Sequence, residues 1–148
     1  MDIELYPITK VPENYYYEFF SEGPKGPIKK VVQYHRIEAA DEMIFNLAFG
    51  DWNDRTRRID DKIKSNNGDT EKILATVAST VVRFTDEHPG AIIYIEGSTP
   101  ARTRLYQMGI NKHWSIIYPT VRIEGLANGK WEEFRKDYNY ECFLLKRR

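Results

Sequence analysis

Residues 65–110 set the fold of this chain, and they read SNNGDTEKILATVASTVVRFTDEHPGAIIYIEGSTPARTRLYQMGI. Apolar side chains recur at spacings of three and four from Ile73 to Phe84, and this spacing predicts a helix over residues 70–87. Asp69 suits the N-cap position, because its carboxylate can accept hydrogen bonds from the free amides of the first turn. At 1.5 Å per residue the helix would span about 27 Å, which is long enough to cross a sheet.

A buried strand and a second helix are expected to follow. Residues 91–95 are continuously apolar between Gly90 and Gly97, a pattern typical of a strand that is buried on both faces. Thr99 suits the N-cap of a helix, and Pro100 suits its first position. The chain is therefore expected to pass from strand to helix through a turn of small residues.

The flanking segments predict further strands that are joined by turns. The glycines and prolines of 23–27 and the Asn128-Gly129 pair each indicate a hairpin. The remaining strands are expected at 15–22, 28–37, 43–49, 55–64, 121–127, 130–134 and 140–145, with a helix as the alternative for the short apolar run at 43–49. An irregular lead-in is expected at 1–14, a turn at 50–54 and a helix end at Met108-Gly109. A short helix is expected at 111–118, with Trp114, Ile117 and Tyr118 facing inward.

The order of these elements predicts an α+β fold. Residues 1–148 are expected to form a single domain. Its antiparallel or mixed sheet would carry one long covering helix (70–87) and one or two shorter helices (100–118).

Composition limits the classes of protein that this sequence can encode. Lysine plus arginine total 22 and aspartate plus glutamate total 22, so the net charge gives no argument for bulk binding to nucleic acid or to an anionic membrane. The single cysteine, Cys142, excludes an intramolecular disulfide and fits a reducing compartment. The sequence starts without the pattern of a signal peptide, and no apolar run approaches the ~20 residues of a membrane-spanning helix. We therefore expect a cytoplasmic protein.

Several short segments carry a resemblance to a known family. They are SEGPKGPIKKVVQ at 21–33, NLAFGD at 46–51, SNNGD at 65–69 and, most distinctively, GST-x-ARTRLY-x-MGI at 97–110. With the long helix and the closing hairpin, they make nearly the whole chain resemble a family of small bacterial proteins that is catalogued only as a domain of unknown function. The resemblance implies a bacterial, intracellular, single-domain protein. It brings no activity, substrate or catalytic residue.

The candidate anion-binding site is the start of the second helix. A helix N-terminus offers free amides and partial positive charge, to which the hydroxyls of Ser98 and Thr99 can add hydrogen bonds. Arg102 and Arg104 can add charge-assisted contacts, and Glu96 is placed to orient an arginine. In the structural alternative, which we favour, Thr99 is only a cap and the arginines pair with carboxylates such as Glu96.

A second group of polar residues lies between 51 and 71. Carboxylates clustered in this way could bind Mg²⁺ or Ca²⁺, but the spacing of a calcium loop is absent. Turn and capping roles account for most acidic residues in loops, so we predict no metal site. The residues concerned are Asp51, Asp54, Asp60, Asp61 and Asp69.

The other reactive side chains show no catalytic pattern. His35, His88 and His113 lack the spacing of metal ligands, and His88 suits the end of the long helix. Ser98 lacks the glycine-flanked elbow of a nucleophile, and Cys142 lies in an apolar strand that is typical of a core. The sequence therefore identifies no catalytic residue, and we expect no cofactor.

Aromatic residues are abundant, with ten tyrosines, seven phenylalanines and three tryptophans. On a strand, exposed tyrosines near Lys29 and Lys30 could stack on unpaired RNA bases or anchor a protein partner. A role in the core and on an ordinary surface is the third interpretation and the favoured one. Strand alternation places Tyr15, Tyr17 and Phe19 on one face and Tyr16, Glu18 and Phe20 on the other.

Two functions from different classes remain. We favour a non-enzymatic interaction or regulatory module that binds a protein partner, because the net charge is zero and no catalytic motif is present. The alternative is a phosphate-recognising protein that binds or cleaves a nucleotide or RNA at residues 97–104. Neither interpretation involves a membrane.

Overall fold

The computed structural model describes residues 4–11, 15–38, 42–60 and 67–148, and its central feature there is a mixed sheet of nine strands. The strands lie in the order β1-β2-β3-β4-β6-β9-β7-β8, with β5 also paired to β4. All pairs are antiparallel except β4 with β6. The elements are β1 Thr9–Val11, β2 Tyr16–Ser21, β3 Ile28–Arg36, β4 Ile44–Asn53, β5 Arg58–Asp60, α1 Thr70–Glu87, β6 Ile92–Ile95, α2 Pro100–Lys112, α3 Trp114–Ile117, β7 Val121–Ala127, β8 Lys130–Glu133 and β9 Phe143–Arg147.

The helices pack on one face of the sheet, which we call the covered face. The core contains the inward side chains of α1, α2 and α3 and alternate residues of the strands. Every strand residue in that core has the same orientation as Tyr17 and Val32. This arrangement confirms the prediction of an α+β domain with one long covering helix.

The other face of the sheet is the open face. It carries the strand residues that alternate with the core residues, including the cross-strand row Tyr16, Gln33 and Ala48. Within the described ranges, no helix lies over this face. Antiparallel sheets tolerate such exposure when alternate residues are polar.

The long helix was predicted correctly, but the role of its N-cap residue was not. α1 spans Thr70–Glu87, and Asp69 occupies the N-cap position without a capping hydrogen bond from its side chain. Asp69 Oδ2 instead accepts hydrogen bonds from Ser21 Oγ at 2.5 Å and from the hydroxyl of Tyr6. The carboxylate therefore ties the start of α1 to β2 and to the N-terminal segment.

Three strand predictions need correction. β1 lies inside the predicted irregular lead-in, because its pairing with β2 organises a segment that has no apolar alternation of its own. β4 continues to Asn53 and so takes up most of the predicted turn at 50–54, since β3 and β5 pair with that part of it. β6 is buried on one face only, because Ile93 and Ile95 face the helices while Ile92 and Tyr94 are half-buried on the open face.

The C-terminal half follows the predicted order with shifted boundaries. α2 continues past Gly109 to Lys112, so Gly109 is not a helix end as predicted. Gly109 instead faces Leu74 of α1. Ile117 is buried as predicted, but Tyr118 is exposed. The strand predicted at 140–145 is β9, Phe143–Arg147. It starts later than predicted, because the Tyr140 amide donates to Gln107 Oε1 of α2 and not to a neighbouring strand.

Both predicted hairpins form. β2 and β3 pair around the turn at 23–27, and β7 and β8 pair around Asn128 and Gly129. Asn128 has φ 53° and Gly129 has φ 76°, as the tight turn between two strands requires. Of the edge strand predicted at 55–64, residues 58–60 form β5, whereas residues 55–57 belong to the turn between β4 and β5. Residues 61–64 lie outside the described residues. None of the helices in the described ranges is long and apolar enough to cross a membrane.

Candidate functional site

The start of α2 is built by hydrogen bonds within its own turn. Thr99 Oγ1 accepts from the Arg102 amide at 3.1 Å, so the predicted N-cap is confirmed. Thr103 Oγ1 accepts from the Gly97 amide at 3.0 Å. A Cβ atom on Gly97 would lie 2.4 Å from Thr103 N, so the backbone at Gly97 lies directly against the first turn.

These contacts leave few donors for an anion at this helix start. Pro100 has no amide hydrogen, Arg102 N is capped by Thr99, and Thr103 N donates to the Thr99 carbonyl. Of the first four helical residues, Ala101 alone keeps an amide without a partner in the described part of the chain.

The charged residues of the candidate anion site point to different places. Arg102 Nη2 lies 3.4 Å from the Phe49 carbonyl oxygen, so this side chain is directed to β4. Glu96 accepts a hydrogen bond from the hydroxyl of Tyr94. Arg104 is exposed and makes no ion pair with a described residue, and Ser98 is also exposed. The structure thus brings the Thr99 hydroxyl and the Arg102 amide together but directs the guanidinium of Arg102 to β4.

The acidic residues between 51 and 71 divide into separate groups. Asp51 forms an ion pair with Lys30 on the covered face, and Asp69 holds Ser21 and Tyr6. Asp54 and Asp60 line a shallow hollow together with Asp51. In the described part of the chain, no group of acidic, histidine or cysteine side chains has the geometry to hold a metal ion. Asp61 lies outside that part.

The histidines and the cysteine are dispersed. His88 caps the end of α1 through its backbone amide, and its ring packs against Tyr15 and Phe84. His113 is buried between α2 and α3, and desolvation lowers the pKa of its imidazole. Cys142 is buried, and burial raises the pKa of its thiol, which suits a core residue and disfavours a thiolate nucleophile.

The aromatic strand β2 alternates as predicted. Tyr17 and Phe19 are buried on the covered face, while Tyr16 and Phe20 lie on the open face. Tyr15 precedes β2 and is exposed. The two lysines of β3 separate in the same way: Lys29 lies on the open face, whereas Lys30 is turned to the covered face and is only 4% exposed. Only Lys29 therefore lies beside the exposed aromatic residues.

A concavity on the open face lies beside the β4–β5 hairpin, and we call it the hairpin groove. Its volume is about 410 Å³. The groove forms because β5 lies close over Gly50, where an added Cβ atom would be 2.8 Å from Ile59 Cγ2. Val31, which pairs with Gly50 across the strands, is fully buried for the same reason. The hairpin therefore leans over the open face. The groove is lined by Tyr16, Gln33, Ala48, Trp52, Arg57, Arg58 and Ile59.

A chain of polar contacts connects the two aromatic residues of the groove. The hydroxyl of Tyr16 donates to Glu18 Oε1 at 2.9 Å, and Lys29 Nζ lies 3.2 Å from the same oxygen. Lys29 Nζ also lies 5.3 Å from the centre of the Trp52 ring, at cation–π distance. Burial and the Glu18 carboxylate raise the pKa of Tyr16, so its hydroxyl keeps the proton that it donates. The two rings are thus connected through the side chains of Glu18 and Lys29.

The basic residues of the groove come from the β4–β5 loop and from the first position of β5. Arg57 and Arg58 are exposed, and neither makes an ion pair with a described carboxylate. Arg57 has φ 57°, and its amide donates to the Asn53 carbonyl at 2.7 Å. Asn53 Oδ1 accepts from the amides of Arg55 and Thr56 at 2.9 Å and 3.1 Å. The loop therefore holds Arg57 in a left-handed conformation that costs a non-glycine residue about 1 kcal/mol.

Trp52 separates this basic groove from the acidic hollow. The hollow has a volume of about 460 Å³ and is lined by the three carboxylates of Asp51, Asp54 and Asp60 and by Arg55. None of the described acidic residues lines the hairpin groove. The two sides of one hairpin thus have opposite charge, although the net charge of the whole chain is zero.

An exposed aromatic residue also lies at the other end of the open face. Trp131 of β8 is 42% exposed and pairs across the strands with Leu126 of β7. Leu144 of β9 is half-buried on the same face. We call Leu126, Trp131 and Leu144 the outer patch.

The hairpin groove has a signal in the sequence at residues 52–58, WNDRTRR, which combine a tryptophan with three arginines. The local pattern of these residues predicted only a turn and a charged edge strand. Trp52 and Tyr16 line the same groove because the β4–β5 hairpin is tilted over the open face. No local sequence pattern predicts that tilt.

The fold and these surfaces define an α+β domain with one covered and one open sheet face. The chain matches the family of unknown function DUF6934 over residues 2–148, and it belongs to that family. This match confirms the resemblance to a family of unknown function over the whole chain. No curated protein and no solved structure matches the chain.

Proposed function

We propose that this protein is a non-enzymatic interaction module that binds a protein partner through the open face of its sheet. The observation that carries the proposal is the placement of the three helices of the described residues on one face only. The opposite face exposes aromatic side chains, with Trp131 at 42% and Phe20 at 52%. Aromatic residues are enriched in protein interfaces and contribute much of their binding energy.

The contact would be centred on the outer patch. Trp131, Leu126 and Leu144 place apolar surface on neighbouring strands. Charged neighbours such as Glu124 and Lys146 surround them on the same face. An apolar centre with a charged rim is the usual anatomy of a protein interface.

The alternative is a phosphate-recognising protein that uses Ser98, Thr99, Arg102 and Arg104. It has less support, because most first-turn amides already have partners and Arg102 is directed to the Phe49 carbonyl. The features in its favour are the exposed guanidinium of Arg104 and the Ala101 amide, which has no partner among the described residues.

The proposal also places this protein in the bacterial cytoplasm. Its support is the resemblance to small bacterial proteins together with a single buried cysteine. Fractionation of the native cells would test the location, and recovery in the periplasm or the medium would contradict it.

The partner proposal is tested by affinity purification from the native host. Trp131→Glu would place a charge within the outer patch. Met108→Glu makes a matched apolar-to-charged change on α2, where Met108 is 60% exposed. We expect a stoichiometric protein partner that Met108→Glu retains and Trp131→Glu loses. Retention of the partner by both folded variants would exclude the outer patch as its binding surface.

The same purification tests the alternative function. The double variant Arg102→Ala and Arg104→Ala, with its fold verified by circular dichroism, should retain the protein partner. Nucleic acid or nucleotide recovered with the wild type and lost with this variant would favour phosphate recognition at residues 97–104.

A further inference from the structure

We propose that the hairpin groove binds a nucleotide, with the base against Tyr16 and Trp52 and the phosphate at Arg57 and Arg58. This inference goes beyond the proposed function and does not depend on it. The groove lies at the β2–β5 part of the sheet, whereas the outer patch lies on β9, β7 and β8.

The groove has a suitable size and lining for a nucleotide. Its volume of about 410 Å³ falls within the ~300–1,000 Å³ of pockets that hold small molecules. The side chain of Ala48 is a single methyl group, so it leaves space at the bottom of the groove between the larger residues. Ile59 adds an apolar wall. A flat base can therefore enter between aromatic and aliphatic surfaces.

Contacts within the free protein restrain the aromatic walls of the groove. Tyr16 is fixed by its hydrogen bond to Glu18, and Trp52 lies under Lys29, which contacts the same carboxylate. Rings that are fixed in the free protein lose little entropy when a base stacks on them. Stacking on such rings is the main sequence-tolerant contribution to binding of unpaired bases.

The arginines are placed for an anion. Arg57 and Arg58 lie at the rim of the groove without a carboxylate partner among the described residues, none of whose acidic members lines the groove. A guanidinium can bind a phosphate through two parallel hydrogen bonds. The left-handed conformation of Arg57 is unfavourable for arginine, and such strain is concentrated at functional positions.

Gln33 supplies a polar group on the groove floor. Its side chain makes no hydrogen bond with a described residue, and it lies between Tyr16 and Ala48 in the cross-strand row. A primary amide donates and accepts hydrogen bonds, so it can pair with the edge of a base. An acidic peptide would satisfy the two arginines but would leave the aromatic walls and this amide without a matching group.

The experiment measures binding of labelled RNA to the full chain by fluorescence anisotropy. The probes are fluorescein-labelled decamers of uridine and of adenosine, with UMP and AMP as competitors and a labelled decamer of glutamate as the peptide control. We expect saturable binding of at least one RNA probe. Two arginine–phosphate contacts predict that the affinity falls about sevenfold between about 50 and 200 mM salt.

The variants separate loss of the site from loss of the fold. Arg57→Gly removes the guanidinium and also relieves the strain at φ 57°, so this variant should be at least as stable as the wild type. We expect its Kd for RNA to rise about tenfold. Trp52→Leu should weaken binding by about tenfold or more through lost stacking. Arg55→Ala is the matched control, because Arg55 lies on the same hairpin but lines the acidic hollow.

Each outcome decides the proposal. Competition by UMP or AMP at a Kd similar to that of the decamers identifies a free nucleotide as the ligand, and binding of decamers alone identifies a single strand. The proposal is overturned if no RNA probe and no mononucleotide binds, or if Arg55→Ala weakens binding as much as Arg57→Gly. Equal affinity for the glutamate decamer would also overturn it and would assign the groove to an acidic protein segment. Failure of RNA binding at the hairpin groove would not affect the partner test with Trp131→Glu. Failure of the partner test would likewise not affect the groove proposal.

Discussion

Arg102 Nη2 lies 3.4 Å from the carbonyl oxygen of Phe49, and this contact joins the start of α2 to the edge of β4. β4 pairs with β6 at residues 44–46 and with β5 at residues 51–53, so Phe49 lies in the gap between these two neighbours. Arg102 donates to the Phe49 carbonyl at a position where none of the described strands pairs with this side of β4. Arg102, which the sequence suggests as an anion-binding residue, thus donates a hydrogen bond to a strand of the sheet.

We predict that Arg102→Ala lowers the free energy of unfolding by about 1 kcal/mol, the usual cost of a lost hydrogen bond to a charged group that is partly solvated. Arg104→Ala should change it by less than about 0.5 kcal/mol, because Arg104 is exposed. Urea denaturation of both variants measures the difference. Equal stabilities would show that the contact with Phe49 contributes nothing.

We predict that Gly97→Ala is strongly destabilising. Its Cβ atom would lie 2.4 Å from Thr103 N and 2.6 Å from Arg102 C, and these backbone atoms cannot move without distorting α2. The expected loss in free energy of unfolding is about 3 kcal/mol, similar to other cases of overpacking. Gly90→Ala is the control, since no atom of the described residues lies within 4 Å of its added Cβ. Thermal unfolding of the pair should separate them clearly, and similar melting temperatures would refute the close approach.

Two buried tyrosines should respond differently to loss of the hydroxyl. Tyr34 OH lies 2.8 Å from Thr80 Oγ1, whose own hydrogen is donated to the Val77 carbonyl, so Tyr34 is the donor. Tyr17 OH is buried without a hydrogen-bond partner in the described part of the chain. Tyr34→Phe should cost about 1–2 kcal/mol, whereas Tyr17→Phe should be neutral or stabilising. Chemical denaturation tests this order, and a larger cost for Tyr17→Phe would mean that its hydroxyl has a partner.

The stability of the protein should fall in alkaline solution. Burial raises the pKa of Tyr17 to about 12 and also raises the pKa of Tyr34. Above about pH 10 the unfolded chain ionises these phenols while the folded chain keeps them protonated, so unfolding is favoured as the pH rises. The loss should continue up to about pH 12 for Tyr17. Below about pH 10 these groups should have no effect on stability.

Denaturation at about pH 9 and about pH 11 measures this loss, which should be about 1 kcal/mol for each buried tyrosine. Tyr17→Phe should remove its share of the pH dependence. The prediction fails if the wild type and Tyr17→Phe lose the same free energy of unfolding between the two pH values.

Elements with local signals follow from the sequence alone. The apolar spacing of α1 predicts its bounds, Thr70–Glu87, because one helix face must be buried whatever lies against it. Asn128 and Gly129 specify the last hairpin through their positive φ angles. Thr99 and Pro100 specify the start of α2 for an equally local reason.

Features that depend on a distant neighbour arise only in the folded chain. β1 forms because it pairs with β2. The Asp69 carboxylate does not cap α1 but accepts a hydrogen bond from Ser21 of β2. The hairpin groove has the same origin. Trp52 and Tyr16 come together only when β4 lies beside β3 and its hairpin leans over Gly50. Such contacts depend on strand order and register, which residue spacing does not specify.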